Sequence, residues 1–245
     1  MKCPHCGHEQ ASGSECEKCG LIFAKWKPPE AKEPNPVDDL PPPLESIFGD
    51  LNVVRLLESA LPALSMIFDW RVAREYTVVD SVGRQRGSVM QESGAVFLRS
   101  RFALTAYPSQ QPAMMFRRTG IFSPTVIDDP RGHRIGTVQR KFTLIRRRYD
   151  LADAAGRVFA IAMGSIMDRN KFALVDGTGQ QRGEISKQYA GYMQEVSEAH
   201  RFKIDFMKTA WTPAQKAVIL TAAICINRDV FENRQNKIGI VALGD

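Results

Sequence analysis

Between Tyr76 and Phe206 the chain alternates short apolar runs with turn signals, a pattern that predicts successive β-strands. One arrangement recurs four times: apolar strand residues, Asp, two residues, Gly. The copies are Val78-Val79-Asp80…Gly83, Val126-Ile127-Asp128-Asp129…Gly132, Leu151-Ala152-Asp153…Gly156 and Leu174-Val175-Asp176…Gly179. Asp in the first position and Gly in the fourth suit a type I turn, and Pro130 sits where such turns favour proline. Three copies carry a further Gly four residues on (Gly87, Gly136, Gly183), and an apolar residue follows two later at Val89, Val138 and Ile185. Ala160 takes that place in the third copy. Glycine inside a strand predicts a bulge or a backbone pressed against a neighbour. After these hairpins comes an apolar run from Ala217 to Ile226 with almost no polar face. A helix apolar all round belongs in a core. The expected fold is therefore mainly β: a closed antiparallel barrel around a buried C-terminal helix over about 213–232.

That run is about half the roughly 20 residues a spanning helix needs. Burial is favoured over a single-pass anchor, although Trp211 and Lys216 flank it in an interface-like way. Cys225 within it reads as a small buried hydrophobe.

The first part of the chain reads differently. Leu44, Ile47, Phe48, Leu51, Val54 and Leu57 or Leu61 follow helical spacing, which predicts an amphipathic helical segment over 44–65, ended by Pro62. Upstream, residues 27–43 hold seven prolines with Glu30, Glu33, Asp38 and Asp39, the composition of an extended, semi-rigid spacer. Residues 1–26 hold Cys3, Cys6, Cys16 and Cys19, two C-x2-C pairs separated by nine residues. Four thiolates complete a tetrahedral zinc site and leave no open position, so a structural Zn2+ ribbon is expected. The segment has almost no apolar residues before Leu21-Ile22-Phe23, so metal would have to supply its folding energy. The domain plan is thus 1–26 ribbon, 27–43 spacer, 44–65 helical segment, 66–236 barrel and 237–245 tail.

Charge sharpens the division. The net charge is +6, yet residues 1–50 carry five lysines against nine acids, leaving −4, and the remainder carries 28 basic against 18 acidic residues, leaving +10. A basic domain suits anionic partners. The densest basic positions are Arg140, Lys141, Arg146, Arg147 and Arg148, with Arg117 and Arg118 beside them as candidates for anionic lipid or phosphate. Three guanidinium groups in a row cannot be buried unpaired, so residues 146–148 are expected at a barrel end, a turn or an exposed face. No G-x-S-x-G, H-E-x-x-H or phosphate-binding glycine loop occurs. His133 and His200 read as surface residues, and no catalytic residues are assigned.

Lys171–Gly179, Gly183–Lys187, Gly191–Glu195 and Phe202–Phe206, followed by the apolar run, resemble the end of the phospholipid scramblase family, which is related to Tubby-like and LURP-one proteins. The likeness covers about 76–232. It implies about twelve strands around the C-terminal helix, and binding of anionic phospholipid through basic barrel residues. Two features depart from the family. Glu198-Ala199-His200-Arg201-Phe202 places His200 and Arg201 where calcium would want acids, so calcium is not expected. The acylated cysteine cluster of some members has no counterpart.

The expected function is a non-enzymatic binder of anionic phospholipid. It would be cytoplasmic, with no secretory signal pattern, and peripheral at the inner membrane face. The alternatives are lipid scrambling between leaflets and an adaptor led by the zinc ribbon. A protein could dock on the ribbon or the Pro-rich spacer. Nucleic acid is a lesser fit, because no stacking aromatics are interleaved with the basic residues.

Overall fold

Asp and Gly at fixed offsets close four hairpins in one way. In each, the Gly N–H donates to the Asp carbonyl, at 3.2 Å for Gly83 and 3.0 Å for Gly132, Gly156 and Gly179. All four glycines lie at φ between +79° and +90°, the left-handed region that a Cβ disfavours. The Asp carboxylate then accepts from backbone N–H groups further round the turn, as Asp176 does from Thr178 at 2.8 Å and Gln180 at 3.0 Å.

A computed structural model describes residues 42–58, 75–93, 100–120, 122–143, 146–168, 170–188 and 201–232, with the isolated positions 9, 11, 13 and 14. The chain divides into two units, Met1–Pro36 and Val37–Asp245. Cys3, Cys6, Cys16 and Cys19 fall in the first and lie outside the described residues, as do most of the spacer and the 237–245 tail.

The second unit begins with helix α1 (Pro42–Phe48) and continues through β1 (Val53–Glu58), β2 (Glu75–Val79), β3 (Gln85–Ser93), β4 (Ser100–Ala106), β5 (Pro112–Arg118) and β6 (Thr125–Asp128). There follow β7 (Arg134–Lys141), β8 (Arg148–Asp153), β9 (Val158–Gly164), β10 (Lys171–Val175), β11 (Gln181–Gln188), β12 (Arg201–Asp205) and helix α2 (Pro213–Ile226). A π-helical turn, Asn227–Glu232, extends α2. The twelve strands form a closed barrel in which each pairs with its sequence neighbours and β1 pairs with β12. Every pairing is antiparallel.

The expected strand glycines mark bulges. The register slips by one residue just before Gly87, Gly136, Ala160 and Gly183. Such slips bend and twist a strand, which closing a sheet into a barrel requires. The glycines also sit under close neighbours. A Cβ on Gly136 would lie 2.6 Å from Val218 Cγ2 of α2 and against the Ala152 carbonyl oxygen. On Gly183 it would meet the Asp205 carbonyl oxygen at 2.7 Å.

Helix α2 fills the barrel. Every residue from Lys216 to Ile226 is buried. Thr212 caps its start in a reciprocal box: Gln215 N–H donates to the Thr212 hydroxyl, and Thr212 N–H donates to Gln215 Oε1. Pro213 occupies the first turn, where its missing donor costs nothing. The flanking residues singled out as an interface-like pair are spent on packing. Lys216 donates to the carbonyls of Phe48 at 2.8 Å and Gly49 at 3.3 Å, closing the end of α1. The Trp211 indole N–H donates to the Arg182 carbonyl at 3.3 Å. No helix among the described residues is long and apolar enough to cross a membrane.

One expectation is corrected. Among the described residues of the segment read as helical over 44–65, helix ends at Phe48 and Val53–Glu58 is strand β1. The barrel accordingly starts at residue 53, ahead of the expected 66. Leu51, Val54 and Leu57 satisfy a helical spacing, but Val54, Leu56 and Glu58 also alternate inward as a strand. Closure decides between the two. Without β1, strands β2 and β12 would each present an unpaired edge.

Candidate functional site

An up-and-down barrel sorts its connections between two ends. The turns leaving even strands, with Asp80, Asp129, Asp153 and Asp176, lie at the end where α1 and the start of α2 sit. The described parts of the connections leaving β5, β7 and β9, within 119–124, 142–147 and 165–170, lie at the other. Helix α2 runs between the ends and delivers Asn227, Arg228 and Asp229 to the second.

At that second end the inward-facing positions turn from apolar to polar. Along β5, Met114 and Phe116 point inward, and so does Arg118; along β8, Leu151 is preceded by Tyr149. The helix turn ties these together. Arg118 grips Asp229 with two nitrogens, Nη1 to Oδ1 at 2.8 Å and Nη2 to Oδ2 at 3.0 Å, with side chains only 8% and 5% exposed. The Tyr149 hydroxyl donates to Asp229 Oδ2 at 3.0 Å. Arg140 Nη1 lies 3.7 Å from the same carboxylate. Asn227 donates to Glu58 and to the Tyr76 hydroxyl, both at 3.3 Å, and Arg228 donates to Ser100 at 2.6 Å. Burial, then the Asp229 charge, pushes the Tyr149 phenol well above its ordinary 10.0 and keeps it a donor. Burial likewise raises the Cys225 thiol, whose sulfur is 3.5 Å from Thr125 Oγ1. It is a packed side chain with no thiolate character.

The seven basic candidates part company here. Arg118 turns inward, and its guanidinium is held by Asp229 inside the barrel. Arg117, on the outer wall, pairs with Asp128 at 3.2 Å. Arg148 and Lys141 share Asp150 at 2.7 and 3.8 Å. Arg140 reaches from the rim, with its guanidinium 5.4 Å from the Phe122 ring centroid. Arg146 is exposed on the β7–β8 connection and Arg147 is half-buried beside it, its carbonyl accepting from Gly164 N–H at 2.8 Å. Arg146–Arg148 thus stand at a barrel end, one of the three placements that charge allows. Five of the seven, Arg140, Lys141 and Arg146–Arg148, gather around one connection.

Asp229 and Tyr149, which organise this end, were not singled out from sequence. Nor were Phe122, Phe142, Ile166 and Met167, exposed large apolar residues on its connections. A signal existed for the latter: hairpin connections are ordinarily polar, and these are not. His133 is exposed beside Asp129, 3.3 Å away, in the turn at the opposite end. His200 lies outside the described residues, as does most of the calcium-related stretch. No group of three or more His, Cys, Asp or Glu side chains among the described residues could hold a metal ion.

No curated protein and no solved structure matches the chain. Residues 112–233 match the family model described as Scramblase, a span that runs from β5 through the central helix to its polar end. Over this span, and in its closed barrel of twelve strands, the protein is similar to the scramblase family.

Proposed function

We propose that this protein is a non-enzymatic binder of anionic phospholipid, acting peripherally at the cytoplasmic face of a membrane. The observation that carries the reading is the clustering of Arg140, Lys141 and Arg146–Arg148 at one barrel end, within the span that matches the scramblase family. Each basic charge near an anionic bilayer contributes about 1 kcal/mol, so four or five suffice for reversible attachment. Flotation with vesicles tests it. The full chain should float with vesicles containing phosphatidylserine and stay behind with phosphatidylcholine alone. Binding indifferent to lipid charge would count against it.

The family match also favours lipid scrambling as a second reading. A headgroup-flip assay in proteoliposomes separates the two, since a surface binder is inert there. The adaptor reading depends on the ribbon, and unchanged partners after removal of residues 1–27 would eliminate it.

The N-terminal cysteines are proposed to hold one structural Zn2+ through Cys3, Cys6, Cys16 and Cys19. Elemental analysis of the full chain should find zinc, and Cys6→Ser with Cys19→Ser should lose it. A full chain purified under reducing conditions in the presence of zinc that retains none would refute the assignment.

A further inference from the structure

Three consecutive connections at the polar end, β5–β6, β7–β8 and β9–β10, neighbour one another because their strands are adjacent around the barrel. Each holds up a large apolar side chain. Phe122 is 52% exposed, Phe142 78%, Ile166 56% and Met167 97%. Phe122 and Phe142 meet across two connections, ring centroids 6.4 Å apart and edge to face. Phe122 and Phe142 thus form one apolar contact, with Ile166 and Met167 on the next connection round the barrel, whereas isolated exposed apolar residues are common and carry no meaning.

Basic side chains border the patch, with Asp150 pairing Arg148 at 2.7 Å. Arg140 lies against the Phe122 ring, Arg146 stands in the same connection as Phe142, and Arg148 follows at the base of β8. Among the described residues of these connections the only carboxylate is Asp168, and Lys171 pairs with it at 3.7 Å. The opposite end is a built-in comparison. It too exposes apolar groups, Val82, Tyr107, Val158 and Met207. Those stand on turns whose carboxylates Asp80, Asp153 and Asp205 are already paired with Arg84, Arg157 and Lys203, and no ring contact joins them among the described residues.

We infer that the Phe122–Phe142–Met167 rim is the face that enters the lipid interface, with the apolar tips in the acyl boundary and Arg140, Arg146 and Arg148 at headgroup level. This rests on the anionic-lipid reading above and adds to it an orientation and an apolar component. Apolar tips and arginines together meet the requirement for two signals in stable attachment. They also place the start of α2, and α1 beside it, away from the bilayer.

Flotation of the full chain with phosphatidylcholine–phosphatidylserine vesicles, at low and high salt, tests the rim. Screening removes the charge contribution and leaves the apolar one. Wild type should keep a salt-resistant fraction on the vesicles. Phe142→Ser with Met167→Ser should lose that fraction, a drop on the order of tenfold in partitioning, with an unchanged thermal midpoint because both side chains are already in water. Tyr107→Ser at the other end should behave as wild type. Vesicle binding by wild type with an equally bound tip variant would overturn the rim and leave the lipid reading intact. Absence of wild-type binding to anionic vesicles would overturn both. A wild-type dimer in sedimentation that the tip variant dissociates would assign the patch to a second copy of the chain and overturn the rim.

Discussion

A chain ended at Trp211 should show no cooperative unfolding transition in urea, and should bind a hydrophobic dye in buffer. Helix α2 supplies the centre of the barrel's core. Val218, Ile219, Leu220, Ile224 and Ile226 are each at most 1% exposed. Burying one such side chain contributes about 1.5–3 kcal/mol, so the five together supply on the order of 10 kcal/mol, comparable with the whole net stability of a domain. Removing them would also expose the inward faces they cover, with Val138 and Leu151 among those affected. The alanines matter for another reason. Ala217, Ala222 and Ala223 are fully buried, and larger residues there would force the strands apart. A sigmoidal transition of ordinary steepness in the truncated chain would show that the strands fold around something else. It would remove the basis for treating α2 as a core element.

Asp229→Ala should lower unfolding free energy by about 3–5 kcal/mol, the cost of stripping one partner from a buried ion pair. The carboxylate accepts two bonds from Arg118 and one from Tyr149, and draws Arg140 inward at 3.7 Å. Its loss leaves the Arg118 guanidinium without its counter-charge, and water re-entry would loosen the end of α2. Replacing Arg118 by Met in the same chain should recover much of the loss, because removing both charges from a buried pair is often nearly neutral. Urea denaturation of the single and double variants measures this. If Asp229→Ala unfolded at the wild-type midpoint with the same slope, the pair would have no structural weight. The comparison also bears on lipid binding. Asp229 lies beneath the Arg140 and Phe122 contact, so the variant should disturb the rim where a surface substitution would not.

The chain's own pattern was sufficient for the hairpins and the helix. In Asp176-Gly177-Thr178-Gly179, the stabilising bonds all lie within a few residues, so turn type follows from local chemistry whatever surrounds it. The Ala217–Ile226 run is apolar on every side and has no stable place except a core. The strand glycines gave bulges at their own positions, since a side chain at Gly136 would strike both Val218 and the next strand. Basic density kept Arg146–Arg148 out of the core, at an end, a turn or an exposed face, because three guanidinium groups cannot be dehydrated unpaired.

Tertiary structure decided what depends on distant partners. Val53–Glu58 became a strand only because β2 and β12 offered it two edges, and its sequence fits a helix as well. Arg118 looks like its neighbour Arg117 in the chain, yet one points inward to a carboxylate 111 residues away and the other outward to Asp128. Pleat parity and closure separate them. The apolar tips at Phe122, Phe142 and Met167 acquired meaning the same way, because only the order of strands around the barrel brings three separate connections to one rim. Local hydrogen bonding and bulk apolarity can be read along a chain, whereas pairing of buried charges and the gathering of loops are set by which ends of the strands closure brings together.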